Sequence, residues 1–175
     1  NIVSLSLSQW NTCFVKGETA FCLGLSDSGQ FGESFNGRQS IWRARALPIG
    51  DGHIARAIAV GDTHSCVVTR EGKVLCAGTG NGANGTSGFS EVVGISDAVG
   101  VTAAASVTCV WTQSGRVRCW GTDTSGSLGN GTADEPVTAP GTEVVLVDDV
   151  PLSDITHVEH SGYHACAVNE ESGGV

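Results

Sequence analysis

The stretch from Gly61 to Gly78, Gly-Asp-Thr-His-Ser-Cys-Val-Val-Thr-Arg-Glu-Gly-Lys-Val-Leu-Cys-Ala-Gly, has the pattern of a tight β-hairpin. Valines lie on both arms, and β-branched residues suit a pleated, half-buried surface. Between the arms, Arg70-Glu71-Gly72 forms a three-residue loop with glycine at the position that needs a left-handed residue. In this register Cys66 faces Cys76. Directly opposed Cα atoms, about 4.5–5.5 Å apart, are within the roughly 4.4–6.8 Å that a disulfide tolerates.

The hairpin recurs along the chain, and internal repeats of this kind decide the fold. Two further cysteine pairs have nearly the same spacing as the first, namely Cys13 with Cys22 and Cys109 with Cys119. In the first copy the two-residue loop Gly17-Glu18 shortens the hairpin by one residue and keeps its cysteines opposed. Cys166 begins a fourth copy. Its partner is expected beyond Val175, which would account for the odd number among the seven cysteines.

The copies begin at intervals of about fifty residues, and short strands repeated with such a period indicate a β-propeller. The 25 glycines and the scarcity of helix-period runs favour an all-β fold. A further strand is predicted at Glu91-Val92-Val93 and at Glu143-Val144-Val145, which together with an incoming strand gives four-stranded blades. The predicted repeats, the last of them incomplete, span about residues 1–54, 55–97, 98–153 and 154–175.

The first copy contains a segment that the other copies lack. Residues 36–53 are predicted to form an inserted loop that carries Trp42, Arg43 and Arg45. Such a loop is either solvated, with one aromatic side chain packed against the scaffold, or a protein-binding loop, since long loops on rigid scaffolds often make contacts. The three side chains are therefore the candidate binding residues.

Composition and motifs argue against several function classes. The formal charge of −9 and the presence of only two lysines argue against binding to nucleic acids or anionic membranes. The longest uncharged run, from Ala98 to Gly115, contains hydroxyl and amide side chains and a predicted turn, unlike a membrane span. The sequence has no Gly-x-Ser-x-Gly, phosphate-loop or His-Glu-x-x-His motif. We therefore expect neither an enzyme nor a cofactor.

Three motifs recur in register with the cysteines: Gly61-x-x-His64-x-Cys66, Cys119-Trp120-Gly121 and Ser127-Leu128-Gly129-Asn130-Gly131-Thr132. The fourth copy repeats the first of them as Gly162-Tyr163-His164-Ala165-Cys166. Together these residues resemble the regulator of chromosome condensation (RCC1) repeat family over nearly the whole chain. The chain departs from the family pattern at four positions, where Leu23 and Ala77 replace the tryptophan and Asn11 and Val107 replace the histidine.

The resemblance implies a seven-bladed β-propeller, of which this chain supplies about half. An open fan of blades would leave unpaired strand edges, and such edges invite association. The remaining blades are therefore expected from the same polypeptide or from another chain.

The cysteines allow three interpretations. Opposed pairs within one hairpin favour disulfides, whereas zinc sites usually have close Cys-x-x-Cys pairs with four converging ligands, and buried free thiols are the third possibility. Each bridge would close about ten residues and contribute roughly 2.5–3 kcal/mol in the chain-entropy model. Bridges in every blade would imply an oxidising compartment.

Two sequons, at Asn84 and Asn130, align between copies. In a eukaryotic secreted protein they would be N-glycan acceptors, but Asn-Gly is also turn chemistry that belongs to the repeat. The histidines of the fourth copy, His157, His160 and His164, are expected to be structural rather than metal ligands, with His160 and His164 on one face of a strand.

These observations lead to a functional hypothesis. The chain is expected to be a non-enzymatic, disulfide-containing propeller of a secreted or cell-surface protein, which binds proteins or other copies of itself or builds an assembly. The resemblance suggests two alternatives: a guanine-nucleotide exchange factor for a small GTPase, or an enzyme inhibitor of the β-lactamase-inhibitor type. Paired cysteines argue against the first, because exchange factors of this fold work in the cytosol or nucleus.

Overall fold

The computed structural model describes residues 1–33, 39–80, 88–122, 126–131, 136–144 and 150–169. These residues form three four-stranded sheets and one two-stranded sheet, all antiparallel, with neighbouring strands in chain order. We call the sheets blades 1 to 4. Their strands are β1 (Ile2–Leu7), β2 (Asn11–Lys16), β3 (Thr19–Ser26) and β4 (Gln39–Ala46) in blade 1; β5 (Ala55–Val60), β6 (His64–Thr69), β7 (Val74–Gly78) and β8 (Ser90–Glu91) in blade 2; β9 (Ala98–Ala104), β10 (Val107–Thr112), β11 (Val117–Gly121) and β12 (Val137–Glu143) in blade 3; and β13 (Ile155–His160) and β14 (Ala165–Asn169) in blade 4. The predicted all-β architecture with four-stranded blades is confirmed.

The central hairpin of each complete blade has the predicted register. In blade 2, Cys66 lies opposite Cys76 and Val68 opposite Val74. Three disulfides join Cys13 to Cys22, Cys66 to Cys76, and Cys109 to Cys119, with Cα atoms 4.1 Å apart in each pair. All six cysteines are buried. The bridges therefore lie in the protein interior, each closing a single hairpin.

A glycine follows two residues after the second cysteine of each hairpin because the backbone leaves no room for a side chain there. Gly24, Gly78 and Gly121 all have positive φ angles, from 112° to 130°. A Cβ atom at any of them would overlap the backbone carbonyl oxygen of residue 10, 63 or 106, on the opposite strand or just before it. Only glycine adopts this conformation without strain and without a clash, which accounts for the Cys-x-Gly pattern.

Neighbouring blades pack through the face that carries the disulfide. Between blades 1 and 2, Cys13 and Val15 share a hydrophobic core with Ile58 and Val60 on the first strand of the next blade. The corresponding residues are Cys66, Val68, Val101 and Ala103 for blades 2 and 3, and Cys109, Trp111 and Val158 for blades 3 and 4. The repeat therefore specifies one interface that is used three times.

Backbone hydrogen bonds fix the angle between blades at the hairpin turns. The first strand of each following blade donates an N–H to a carbonyl of the preceding turn. The three bonds run from Ala55 to Glu18 (3.0 Å), from Ala98 to Gly72 (3.0 Å) and from Ile155 to Gly115 (3.1 Å). The first strands β1, β5, β9 and β13 thereby line one open, concave cavity of about 970 Å³.

The outer strands of blades 2 and 3 differ from the predicted Glu91-Val92-Val93 and Glu143-Val144-Val145, of which Val145 lies outside the described residues. Blade 2 ends in a two-residue strand, Ser90–Glu91, and Val92 only continues it through one bond from its N–H to the carbonyl of Val74 (2.8 Å). In blade 3 the strand ends at Glu143 instead of beginning there. The prediction placed the strand on the apolar residues that follow it. Outer strands pair through their backbones and need no apolar alternation, so an apolar pattern does not locate their ends. The described residues contain no helix long and apolar enough to cross a membrane.

Candidate protein-binding surface

The segment with Trp42, Arg43 and Arg45 is not the loop that the sequence predicted. It is part of β4, the outermost strand of blade 1, which pairs with β3. The side chains of this edge strand are mostly exposed, so its sequence has no apolar alternation. A prediction based on alternating burial therefore takes the strand for a loop. The prediction of an inserted loop over residues 36–53 is therefore wrong for residues 39–46, while residues 36–38 lie outside the described part.

A β-bulge displays the tryptophan on this strand. Arg45 pairs with Cys22 and Ile41 with Gly24, so three residues of β4 lie opposite the single residue Leu23 of β3. Bulges bend a strand and redirect its side chains. Trp42 lies within this bulge, and 88% of its surface is exposed. For comparison, Trp120 on β11 of blade 3 is fully buried.

The base of the bulge is held by an ion pair. Arg45 donates two hydrogen bonds to Glu33, from Nη2 to Oε1 (2.6 Å) and from Nη1 to Oε2 (2.9 Å). Both side chains are about half exposed, so the pair orients the bulge more than it stabilises the fold. Arg43 makes no ion pair within the described residues and is exposed. Trp42 and Arg43 together form what we call the rim patch of blade 1.

A second surface is the concave cavity between the first strands. Each of these strands has a register shift near its start, where one extra residue interrupts the pairing with the next strand. The residues at the four shifts are Val3, Arg56, Val99 and Thr156. Trp111 and His157 lie in the same wall with ring centroids 5.2 Å apart. The wall is about equally polar and apolar, and its charged side chains are Arg56, Arg70 and Glu159, a mixture that resembles the surface of protein interfaces.

His64 joins two blades from a fully buried position. Its Nε2 lies 2.7 Å from Oγ1 of Thr108 on blade 3, and its ring occupies the space where a side chain at residue 61 would be. This explains why the motif begins with Gly61. Burial lowers the pKa of His64 to about 4, because desolvation disfavours the charged ring more than a backbone hydrogen bond at Val107 favours it. The ring is therefore neutral at pH 7.

This contact between blades was not part of the sequence-based prediction. The signal that could have revealed it is a hydroxyl residue directly before the first cysteine, at Thr12, Ser65 and Thr108. Only Thr108 has a histidine opposite it in the preceding blade, because the position of His64 is taken by Asn11 in blade 1 and by Val107 in blade 3.

The histidines of blade 4 do not share a strand as expected. His160 ends β13, a turn follows, and His164 precedes β14, because the N–H of Ser161 bonds to the carbonyl of His164 (3.0 Å) and closes a turn between them. His157 instead pairs with Glu159, at 3.0 Å between Nε2 and Oε1. Within the described ranges, no three His, Cys, Asp or Glu side chains come together as metal ligands would.

The remaining predicted sites are the two sequons and Cys166. Asn130 is half-buried after the third hairpin, whereas Asn84 lies outside the described residues, so N-glycosylation stays a prediction. Cys166 is exposed and forms no disulfide within the described chain.

The repeat and the fold agree with those of known proteins. Residues 55–85 match the regulator of chromosome condensation (RCC1) repeat. Human WBSCR16 shares 16% identity with the chain at a TM-score of 0.83, over 97% of this chain and 47% of that one. Prp20p from Saccharomyces cerevisiae shares 16% identity at 0.78, over 96% and 44%, and the ectodomain of the receptor kinase CR4 from Physcomitrella patens shares 15% at 0.59, over 96% and 38%. No curated protein sequence matches the chain.

These similarities define the class of fold. The chain is a partial β-propeller, because it spans about half the length or less of the propellers that it matches. Within it, residues 55–85 match an RCC1 repeat, and the chain as a whole has the fold of propellers such as Prp20p.

Proposed function

We propose that this chain is a non-catalytic protein-binding module of a secreted or cell-surface protein, and that the rim patch of blade 1 is its anchor. The observation that supports this most directly is Trp42, which is 88% exposed on an edge strand beside the exposed Arg43. Tryptophan and arginine are the residues that most often dominate binding energy at protein interfaces. An exposed tryptophan on a braced bulge therefore fits a pocket or groove on a partner protein.

The proposed export rests on the cysteines. Every complete blade carries a buried disulfide, and the cytosol keeps thiols reduced. A propeller of similar fold is the ectodomain of the receptor kinase CR4. These two observations support an extracellular or surface location, in which the predicted sequons would be available for glycosylation in a eukaryotic host.

The rim patch is tested by replacing Trp42 with alanine. Wild-type protein and the Trp42→Ala variant are immobilised and exposed to the extracellular proteins of the source organism, and the retained proteins are quantified by mass spectrometry. A specific partner should be retained by the wild type and lost with the variant. Val93→Ala is the matched control, because Val93 is 79% exposed on the rim of blade 2 and should leave retention unchanged. Equal retention by all three proteins would exclude the rim patch.

The second function worth testing is an intracellular one. Prp20p, a propeller of similar fold, is described by its binding to Gsp1p and histones. If this chain acts in the cytosol or nucleus on such partners, its cysteines should be reduced there. Alkylation of the thiols in intact cells, followed by mass spectrometry, separates the two proposals: protected cysteine pairs support export, and alkylated cysteines support the intracellular alternative.

A further inference from the structure

Two polar side chains of blade 1 are buried without a hydrogen-bond partner among the described residues. Asn11 is 3% exposed, and neither Oδ1 nor Nδ2 of its side chain has a partner there. The Oγ of Ser8, three residues earlier, is buried and unpartnered in the same way. Buried polar groups of folded proteins almost always bond to the protein or to ordered water, so the partner of these atoms needs an explanation.

The two side chains lie in the interface between blades 1 and 2. Asn11, Cys13 and Val15 are the buried residues of β2, on the same face of the strand. Cys13 and Val15 pack with Ile58 and Val60 of blade 2 in one hydrophobic core. The unpartnered atoms therefore belong to a contact between two described blades and not to an outer surface.

Ser8 and Asn11 have the positions that Gly61 and His64 have in blade 2. In both blades the N–H of the first residue bonds to the carbonyl of the second at 2.9 Å, so the two turns have the same shape. In blade 2 the ring of His64 fills the space beside Gly61 and reaches Thr108 of the next blade, 2.7 Å from Nε2 to Oγ1. In blade 1 the polar atoms of Ser8 and Asn11 border the equivalent space.

The hydroxyl group on the facing blade does not satisfy these atoms. Ser65 has the position of Thr108, and its Oγ donates a hydrogen bond to the backbone carbonyl of Gln30 (2.5 Å). The hydroxyl hydrogen of Ser65 is thereby used, but its oxygen retains a lone pair for a further donor. The side chain of Asn11 is one bond shorter than that of a histidine, and it makes no bond to Ser65.

The difference in side-chain size leaves room for one small molecule. We call Ser8, Asn11 and Ser65 the Asn11 cluster. Together its side chains have one heavy atom fewer than their three counterparts between blades 2 and 3. A buried water needs two to four polar partners and a space of about its own volume, roughly 30 Å³. The Asn11 cluster offers both the donors and acceptors and a difference of the size of one oxygen atom.

We propose that the interface between blades 1 and 2 binds at least one structural water molecule at the Asn11 cluster, in the place that the imidazole of His64 takes between blades 2 and 3. Nδ2 of Asn11 donates to this water, and the hydroxyl oxygens of Ser8 and Ser65 accept from it. The site joins two blades and does not involve the rim patch, so it stands or falls separately from the proposed function.

A high-resolution crystal structure of the protein tests the proposal directly. Electron density for a water within hydrogen-bond distance of Asn11 and Ser8 is the expected result. In solution, the side-chain amide protons of Asn11 should show magnetisation transfer from a long-lived water in NMR spectra. A site without water density, or a direct bond between the side chains of Ser8 and Asn11, overturns the proposal.

The Ser8→Ala variant separates a wet site from a dry one by the sign of its effect. If water binds, the variant loses a hydrogen bond, and the equilibrium constant for unfolding in a urea titration should rise roughly threefold to tenfold. If the site is dry, the variant removes an unsatisfied oxygen and leaves stability unchanged or higher, which overturns the proposal. Ser40→Ala, on the exposed strand β4, is the matched control and should be neutral.

A double variant tests whether the cluster occupies the space of the imidazole. Asn11→His alone should destabilise the protein, because its ring would overlap the β-carbon of Ser8, as the ring of His64 would overlap a β-carbon at Gly61. Adding Ser8→Gly should restore stability and expel the water, since the ring then reaches the hydroxyl of Ser65. A double variant that is no more stable than Asn11→His, or that retains the water, contradicts the proposal.

Discussion

Acid should weaken the contact between blades 2 and 3 through a single histidine. The ring of His64 is fully buried, and its pKa is lowered from 6.5 to about 4 by desolvation. A group whose pKa is lower in the folded than in the unfolded state binds its proton preferentially after unfolding. The contribution of His64 to stability is therefore present in full above pH 6.5 and is lost as the pH falls towards 4.

The size of this loss follows from the gap between the two pKa values. At about 1.36 kcal/mol per pH unit, lowering the pH from 7.5 to 5 should cost about 2 kcal/mol, and lowering it to 4 about 3 kcal/mol. These amounts are a large fraction of the stability of an ordinary domain, which is about 5–15 kcal/mol. The loss of stability should therefore begin below pH 6.5, above the range in which most carboxylates titrate.

The assay compares the wild type with the His64→Asn variant, since asparagine already occupies the equivalent position in blade 1 at Asn11. Urea unfolding is followed by tryptophan fluorescence at pH 7.5, 6, 5 and 4, because Trp120 is buried in the core that blades 2 and 3 share. The variant should be less stable at pH 7.5 but should lose about 3 kcal/mol less on acidification. Other titrating groups contribute equally to both proteins and cancel in the difference. If the two proteins lose stability in parallel, His64 is not the buried neutral group described above.

Three further predictions concern the packing and the cysteines. Gly100→Ala should destabilise the protein by about 1–3 kcal/mol, because the added methyl group would overlap the ring of Trp111, whereas Gly88→Ala, with open space around it, should be close to neutral in the same urea titration. Titration of the unreduced, unfolded protein with a thiol reagent should find one thiol, that of Cys166, and a count of seven would contradict the export proposal. Replacing both cysteines of blade 2 by alanine should lower the free energy of unfolding by roughly 2–3 kcal/mol, and an unchanged midpoint in urea would show that the bridge is not formed in solution.

The hairpins could be predicted from the sequence because their signals are local. A glycine-ended loop fixes the register of the two arms, so the position of Cys66 determines which residue faces it. The repeat then transfers this result to every blade. The outer strand β4 could not be predicted, because all of its side chains except Ile41 are exposed, so burial leaves no apolar alternation in its sequence.

The contacts between blades could be predicted from the sequence only in part. The sequence pattern contained Gly61, His64 and Thr108, but their relation depends on residues 44 positions apart in the chain. No local rule connects such positions. The contact between these residues can be recognised only once the angle between the blades is known. The same holds for Gly100, whose missing side chain makes room for Trp111.

The variation among copies at the position of His64 has a physical consequence for how this array holds together. The three interfaces have cores of similar apolar residues, so these cores alone distinguish poorly between neighbouring blades. The polar residue can distinguish them, because His64 has a hydroxyl within reach at Thr108. Val107, at the same position of blade 3, needs no hydrogen-bond partner, and the side chain of Ala165, at the position of Thr108 in blade 4, offers none. A buried histidine without that partner would lose a hydrogen bond and destabilise the contact by about 1–3 kcal/mol. The histidine at this position therefore fits blade 2 to a following blade that carries a hydroxyl at the position of Thr108, which is fully buried beside it.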